Sequence, residues 1–381
     1  MRIALLTDGI YPYVIGGMQK HSYYLCKYFA QNGIHVDLFH FNESKLDIND
    51  LDSFTEEEKK YIRSIVLKFP SLGKFPGHYV RESYRYSELI FEKIKNDLNS
   101  YDFIYTKGFC GWKLIREKKK GLPCPPIGVK FHGYEMFQKA PDLKVKLQHY
   151  LLRGPVRWIS QNADYVFSYG GKITEIIKDQ IKIPDERIIE IPTGIEKRWL
   201  RSSPLKDHHP RRFIFLGRYE RRKGIEELNS VLKELVGEKD FMFEFIGPIP
   251  KDKQIASDQL IYHGEIRDAS KIREILENSD VLICPSHSEG MPNVILEGMA
   301  SGLAIIATDV GAVNRQVSDK NGILITPGST KELNRAIVKL TDTSSDEMIK
   351  LKEGSLKLIN DSFLWNNIIR LTDDKIRGII S

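Results

Sequence analysis

Residues 280–302 read DVLICPSHSEGMPNVILEGMASG, a strand, a loop and a helix in succession. The apolar run from Val281 to Cys284 is a buried strand ending near Pro285, and a polar loop leads on to Gly290. Pro292 suits the first turn of a helix, where its missing N–H costs nothing, and Gly302 suits the position just past the helix end. The helix therefore aims its leading N–H groups, from about Asn293 onward, back over the strand tip. Those donors and the helix dipole make an anion site suited to phosphate. Glu289 lies in the loop and Glu297 more than a turn inside the helix, so the two carboxylates do not share one stripe. Glu289 can reach beyond the helix end. Glu297 stands beside the anion, where a carboxylate makes sense as an acceptor for sugar hydroxyls. Two surface glutamates flanking a packing helix are the plainer alternative.

Working outward, short apolar runs alternate with amphipathic stretches twice along the chain. Strands are expected at 3–7, 35–41, 102–106, 127–131 and 165–169, with helical patterns at 17–32, 111–120 and 141–161. The second half repeats this with strands at 213–216, 241–246, 260–263, 281–284, 304–308 and 323–326, and helices at 225–236, 270–278 and 331–340. Strand–helix alternation means βαβ units and parallel sheets. The polar, Pro-punctuated stretch 201–212 (RSSPLKDHHPRR) reads as the linker. The expected architecture is α/β, two doubly wound domains facing each other across a cleft, and 381 residues suffice for both. The first domain spans 1–200 and the second 201–362, with a closing helix at 363–381 packing back on the first. Residues 42–100 fit neither sheet simply: an acidic loop or helix (47–58) precedes an aromatic–Arg segment that reads as an inserted substrate loop.

Three further constellations sit at expected strand ends. Gly217-Arg218 and Arg222-Lys223-Gly224 follow a strand in the second half. Arg218 and Lys223 there would neutralise a diphosphate, against the alternative of a solvated basic turn. Gly16-Gly17 after the first strand lets a ligand approach the backbone, or is a plain turn. His132, in Phe131-His132-Gly133, could orient or polarise a substrate hydroxyl, or be a satisfied structural histidine. Neither GxGxxG nor GxxxxGK[ST] occurs, which disfavours dinucleotide and P-loop chemistry. Asp50-Leu51-Asp52 is a formal metal tripeptide away from any strand tip and is discounted.

Composition excludes other classes. Hydrophobic residues at 41% rule out a disordered chain, and no apolar run approaches the ~18 residues of a membrane span. The four cysteines form no CxxC pair, so no zinc framework is expected. The N-terminal apolar run is too short for a secretory core, so a cytoplasmic location is expected. The net charge of +6 permits anionic substrates or an anionic membrane surface, and nucleic acid is not indicated. Basic runs at Lys113, Arg116, Lys118, Lys119, Lys120 and at Lys144, Lys146, Arg153, Arg157, with the segment Phe75 to Tyr86, suggest a face lying on the inner leaflet of the plasma membrane. The plainer alternative is a solvated basic face.

Together the motifs resemble a family 4 glycosyltransferase of the GT-B fold over nearly the whole chain. The resemblance rests on Gly16-Gly17 with His21, Phe131-His132-Gly133, Gly217-Arg218 with Arg222-Lys223-Gly224, and the two glutamates Glu289 and Glu297 at the family's separation. It implies a retaining transferase that takes a sugar from a UDP- or GDP-linked donor without a metal ion or other cofactor. The acceptor would be a saccharide or lipid-linked saccharide, as in bacterial-type envelope polysaccharide synthesis. By that analogy Gly16, Gly17, Arg218, Lys223, Gly290, Met291, Pro292, Asn293 and Val294 bind the diphosphate end. Glu297 holds the ribose, Glu289 contacts the donor sugar, and His132 places the sugar and acceptor. His21, Tyr79, Arg81, Tyr84 and Arg85 are acceptor-side candidates. Two departures stand out: Pro192-Thr193-Gly194 where the family commonly has Pro-Asn-Gly, and Met18-Gln19 where a Glu commonly follows the glycine pair. The rival readings are a UDP-sugar 2-epimerase of similar shape and a non-catalytic sugar-nucleotide-binding protein.

Overall fold

The computed structural model describes residues 1–14, 16–42, 53–73, 77–140 and 142–381. Asp50-Leu51-Asp52 and Phe75 lie outside the described residues.

The chain forms two compact units. The first comprises Met1–Phe137, Lys146–Pro192 and Trp365–Ser381. Its strands are β1 (Arg2–Leu6), β2 (His35–Phe41), β3 (Ile62–Leu67), β4 (Phe103–Lys107), β5 (Ile127–Lys130), β6 (Tyr165–Ser168) and β7 (Ile188–Glu190). They form one parallel sheet in the order β3-β2-β1-β4-β5-β6-β7. Central strands β1 and β4 are buried along almost their whole length, which is why they read as continuous apolar runs. The helix Gly17–Gln31 covers one face, and Trp365 of the helix Trp365–Ile380 stacks on Tyr28 within the same core as Ile368, Ile369 and Ile376.

The second unit comprises Gln138–Val145 and Thr193–Leu364. Its strands β8 (Arg211–Leu216), β9 (Phe241–Ile246), β10 (Leu260–Tyr262), β11 (Val281–Cys284), β12 (Ala304–Thr308) and β13 (Gly322–Ile325) form a parallel sheet in the order β10-β9-β8-β11-β12-β13. In each sheet the strand order reverses next to the first strand, between β1 and β4 and between β8 and β11. Ligands of such sheets bind beyond the carboxyl ends of the strands at those reversals.

Three expectations are corrected. Residues 201–212 are not a linker: the chain changes units at 192/193, and the 200/201 boundary falls inside the second unit. Arg201 N–H donates to Ala300 O (2.8 Å), and the buried Asp280 accepts from His208 Nδ1 (2.9 Å) and Lys352 Nζ (2.6 Å), tying the stretch down. The aromatic–Arg segment, expected as a loop as far as Tyr86, is helical from His78, where it opens the helix His78–Ile94, whose buried face is Glu82, Ser83, Tyr86, Ser87, Ile90 and Ile94. Strands β3 and β7, at the two edges of the first sheet, have no counterpart among the expected strands.

Candidate functional site

In the second unit the site grows from the β8/β11 reversal. After β8, Gly217 and Arg218 lead to a turn, Arg221–Lys223, and to Gly224, which has φ +68°. A β carbon at Gly224 would collide with the carbonyl oxygen of Pro285, just past the end of β11. Only glycine therefore lets the two strand-tip loops touch backbone to backbone. They are zipped further by His287 N–H to Arg222 O (2.8 Å) and by Arg222 to Ser288 O (3.1 Å).

That closeness delivers Lys223 Nζ to Glu289 Oε1 at 2.6 Å. Ser286 Oγ donates to the same oxygen at 2.9 Å, and Arg222 stands 3.5 Å from Oε2. Gln138 clamps the Glu289 backbone, its amide donating to Glu289 O (2.7 Å). Burial pushes the Glu289 carboxyl up, but the Lys223 and Arg222 charges and the bonds from Lys223 and Ser286 outweigh it, so its pKa lies below the ordinary value. Glu289 is an ionised, buried carboxylate.

The helix that follows is Asn293–Ala300, with Pro292 as its N-cap and Gly302 at φ +73° beyond its end. It starts one residue later than expected, and Pro292 caps the helix instead of filling its first turn. Glu297 is buried on this helix. Gly290 O accepts from Ala312 N–H (2.7 Å) and Met291 Sδ from Thr193 N–H (3.3 Å), anchoring the loop before Asn293 and Val294. Arg218 differs from Lys223. Its side chain is 70% exposed and meets Glu220 at 3.0 Å. The two cations expected to act together are thus held by different carboxylates.

In the first unit the β1/β4 reversal opens on a cavity of about 230 Å³. Asp8 follows β1, Lys107 ends β4 and His132 follows β5, and all three line it together with Glu135. Phe69, Tyr79, Tyr86, Phe109 and Phe131 supply aromatic walls. Burial raises the Asp8 carboxyl to about 6 against a hydrogen bond from Gln19 (2.9 Å) and the charge of Lys107. The Gln19 departure fits this contact, because an ionised glutamate could not donate to Asp8. His132 Nδ1 is hydrogen-bonded to the Tyr169 hydroxyl at 2.9 Å. Gly17 lies against its other nitrogen.

The acceptor-side candidates separate. Tyr79 lines the cavity. Tyr84 instead packs edge-on against Trp112 and accepts from Arg116 (3.0 Å), while Arg81 and Arg85 lie on the exposed helix surface. His21 does not line the cavity. It is buried behind it, between Tyr169 and Trp365, with Nδ1 2.7 Å from Lys107 Nζ. An amine that donates there requires an unprotonated nitrogen, in keeping with burial and nearby cations holding His21 well below the usual imidazole range. Asp8, Lys107, Gln138 and Ser286 were missed in the sequence. The first two sit at the tips of strands, and the strand-end rule applied to Thr7-Asp8 and Lys107-Gly108 would have found them.

Residues 15–199 match the model of Glycosyltransferase Family 4, and residues 210–343 that of Glycosyl transferases group 1. An uncharacterised glycosyltransferase of Methanocaldococcus jannaschii is 25% identical over 373 residues, covering 96% of this chain and 95% of that protein. The sucrose-phosphate synthase of Thermosynechococcus elongatus superposes with a TM-score of 0.77 at 19% identity, over 99% of this chain and 98% of that one. An Anabaena protein in complex with UDP-glucose does so at 0.67 and 16%, over 99% and 100%. The fold is that of the GT-B glycosyltransferases.

Proposed function

We propose that this chain, a glycosyltransferase of the group 1/family 4 type, is a retaining enzyme that uses a UDP- or GDP-linked sugar and needs no metal ion. The observation that carries the reading is the Lys223–Glu289 pair at 2.6 Å, set at the β8/β11 reversal beside the start of the helix Asn293–Ala300. A diphosphate brought to that helix start meets its leading N–H groups and offers Lys223 a second anion. Arg218, exposed on the preceding loop, closes on the same phosphates. Charge building on the departing nucleoside diphosphate is then stabilised by fixed cations. Glu289, ionised and half neutralised by Lys223, accepts hydrogen bonds from donor-sugar hydroxyls, and Glu297 does so from the ribose. Support for a uridine donor comes from the neighbour of the same fold held with UDP-glucose.

The acceptor is a saccharide or lipid-linked saccharide whose reacting hydroxyl enters the cavity of the first unit. At about 230 Å³ it suits one sugar ring better than a drug-sized ligand, which takes roughly 300–1,000 Å³. His132, held by Tyr169, orients that hydroxyl. Envelope polysaccharide synthesis is the process this acceptor class fits. The test is a panel of nucleotide sugars read by thermal stabilisation and donor hydrolysis. Stabilisation by one UDP- or GDP-sugar, lost in Arg218→Ala, is the expected result. No response to any nucleotide sugar would remove the reading.

A further inference from the structure

The helix Leu143–Asn162 carries two apolar faces. One is internal, with Val156 and Ile159 buried. The other faces solvent: Leu143 is 82% exposed, Leu147 67%, Tyr150 72% and Leu151 47%. Their spacing of i, i+4, i+7 and i+8 is a single helical stripe. The helix is capped from its first turn, since Asp142 accepts from Val145 N–H at 2.8 Å. At about 100° per residue, the exposed Lys144 borders the stripe on one side and the exposed Lys146 on the other, while Arg153 and Arg157 turn onto Met136 O, Gln180 O and the Phe137 ring. Cations so placed can lay their carbon stems along an apolar layer while the charged heads stay in the polar zone above it.

A contiguous exposed apolar stripe marks an interaction surface. Charge selects the partner. A second copy of this chain would bring the same lysines against themselves. A bilayer containing anionic lipid answers both features, with hydrocarbon for the leucines and phosphates for the lysines. Tyr150 suits the headgroup level. The basic helix Trp112–Lys119 is not this surface, because Lys113 and Lys120 pair with Glu117 (2.8 and 2.9 Å) and Lys118 with Asp164 (2.6 Å). Among the described residues no helix is long and apolar enough to cross a membrane, so the contact lies in the interface plane.

We propose that the helix Leu143–Asn162 docks this protein on an anionic lipid surface, with Leu143, Leu147, Tyr150 and Leu151 entering the headgroup boundary and Lys144 and Lys146 on the phosphates. The proposal is independent of the donor reading and is tested by binding alone. The full chain is sedimented with phosphatidylcholine vesicles with and without phosphatidylglycerol, at low and high salt. Binding should favour the anionic vesicles and weaken with salt. The variant Leu147→Ser/Tyr150→Ser/Leu151→Ser should bind at least about tenfold more weakly, as loss of buried apolar area requires. Lys144→Glu/Lys146→Glu should lose the anionic preference. In a separate variant, Tyr150→Trp, the added fluorescence over the parent should shift to the blue on binding and be quenched by brominated acyl chains. Equal binding to both vesicle types, a triple serine variant that binds like the parent, or added fluorescence in Tyr150→Trp untouched by bromolipid would each overturn the proposal. So would sedimentation equilibrium showing a parent dimer that the serine variant abolishes, which would make a second copy the occupant.

Discussion

Gly17 stands directly against His132: a β carbon at position 17 would lie 2.7 Å from Nε2 of the imidazole. The glycine begins the helix Gly17–Gln31 and the histidine follows β5, so two strand-end segments meet with no side chain between them. The glycine pair read in the sequence as a site of close ligand approach is, at Gly17, first a site of close approach by an imidazole.

Gly17→Ala should therefore displace His132, because its β carbon would lie 2.7 Å from the imidazole Nε2. If His132 orients the acceptor, turnover should fall by about tenfold or more, since misplacement near 1 Å costs up to about a hundredfold. Binding of the nucleoside diphosphate, measured by calorimetry, should fall less than turnover, because the diphosphate contact expected at Gly17 is made by its backbone. Unaltered kcat in Gly17→Ala would show that the position of His132 does not matter to the reaction.

The Lys223–Glu289 pair makes one substitution act on both stability and activity. Lys223→Ala leaves a buried carboxylate with weakened compensation, and breaking such a pair costs about 3–5 kcal/mol when fully buried, less here because Lys223 keeps some exposure. Adding Glu289→Gln should recover part of that loss in chemical denaturation. Arg218→Ala touches only an exposed contact with Glu220, so it should leave stability unchanged and lower turnover about tenfold. A Lys223→Ala protein as stable as the parent would deny that the pair matters to the fold.

His21 sets a pH dependence. Its folded pKa lies well below 6.5, first through burial and then through Lys107, Lys130 and His132. The unfolded chain takes up a proton near pH 6.5 and the folded chain does not, so His21 favours folding fully above that pH and progressively less below it. One such group steepens the loss by about 1.4 kcal/mol per pH unit. His40, lowered to about 4, acts in the same direction, and Asp8, raised to about 6, acts against it over roughly pH 4–6. Comparison with His21→Asn, which keeps an acceptor for Lys107, separates the His21 share. Stability between pH 6 and 5 should fall less in the variant. Identical profiles would mean that His21 is protonated in the fold.

Turnover should survive exhaustive chelation, because Lys223, Arg218 and the helix start supply the charge stabilisation assigned to them. The measurement is donor consumption after chelator treatment, with and without added Mg²⁺ or Mn²⁺. Loss of activity restored by either ion would contradict metal independence.

The sequence alone determined the alternation of strands and helices and the local unit at 280–302, because buried parallel strands are continuous apolar runs and Gly and Pro punctuate them locally. It failed where burial is one-sided or brief. Among the described residues strand β3 (IRSIVL) pairs only with β2, and it carries Arg63, while β7 has three residues, so neither shows a clear period. The helix His78–Ile94 buries Glu82, Ser83 and Ser87, so its inner face looks polar in the sequence. What only the tertiary structure decided is which distant side chains meet. Lys223 finds Glu289 because strand order sets β8 beside β11, and Gly224 lets their loops touch. Lys107 finds His21 because β1 pairs with β4 and the helix Gly17–Gln31 lies over them. Each contact depends on the pairing of strands far apart in the chain, and an amino-acid pattern read over ten or twenty residues carries no information about such pairing.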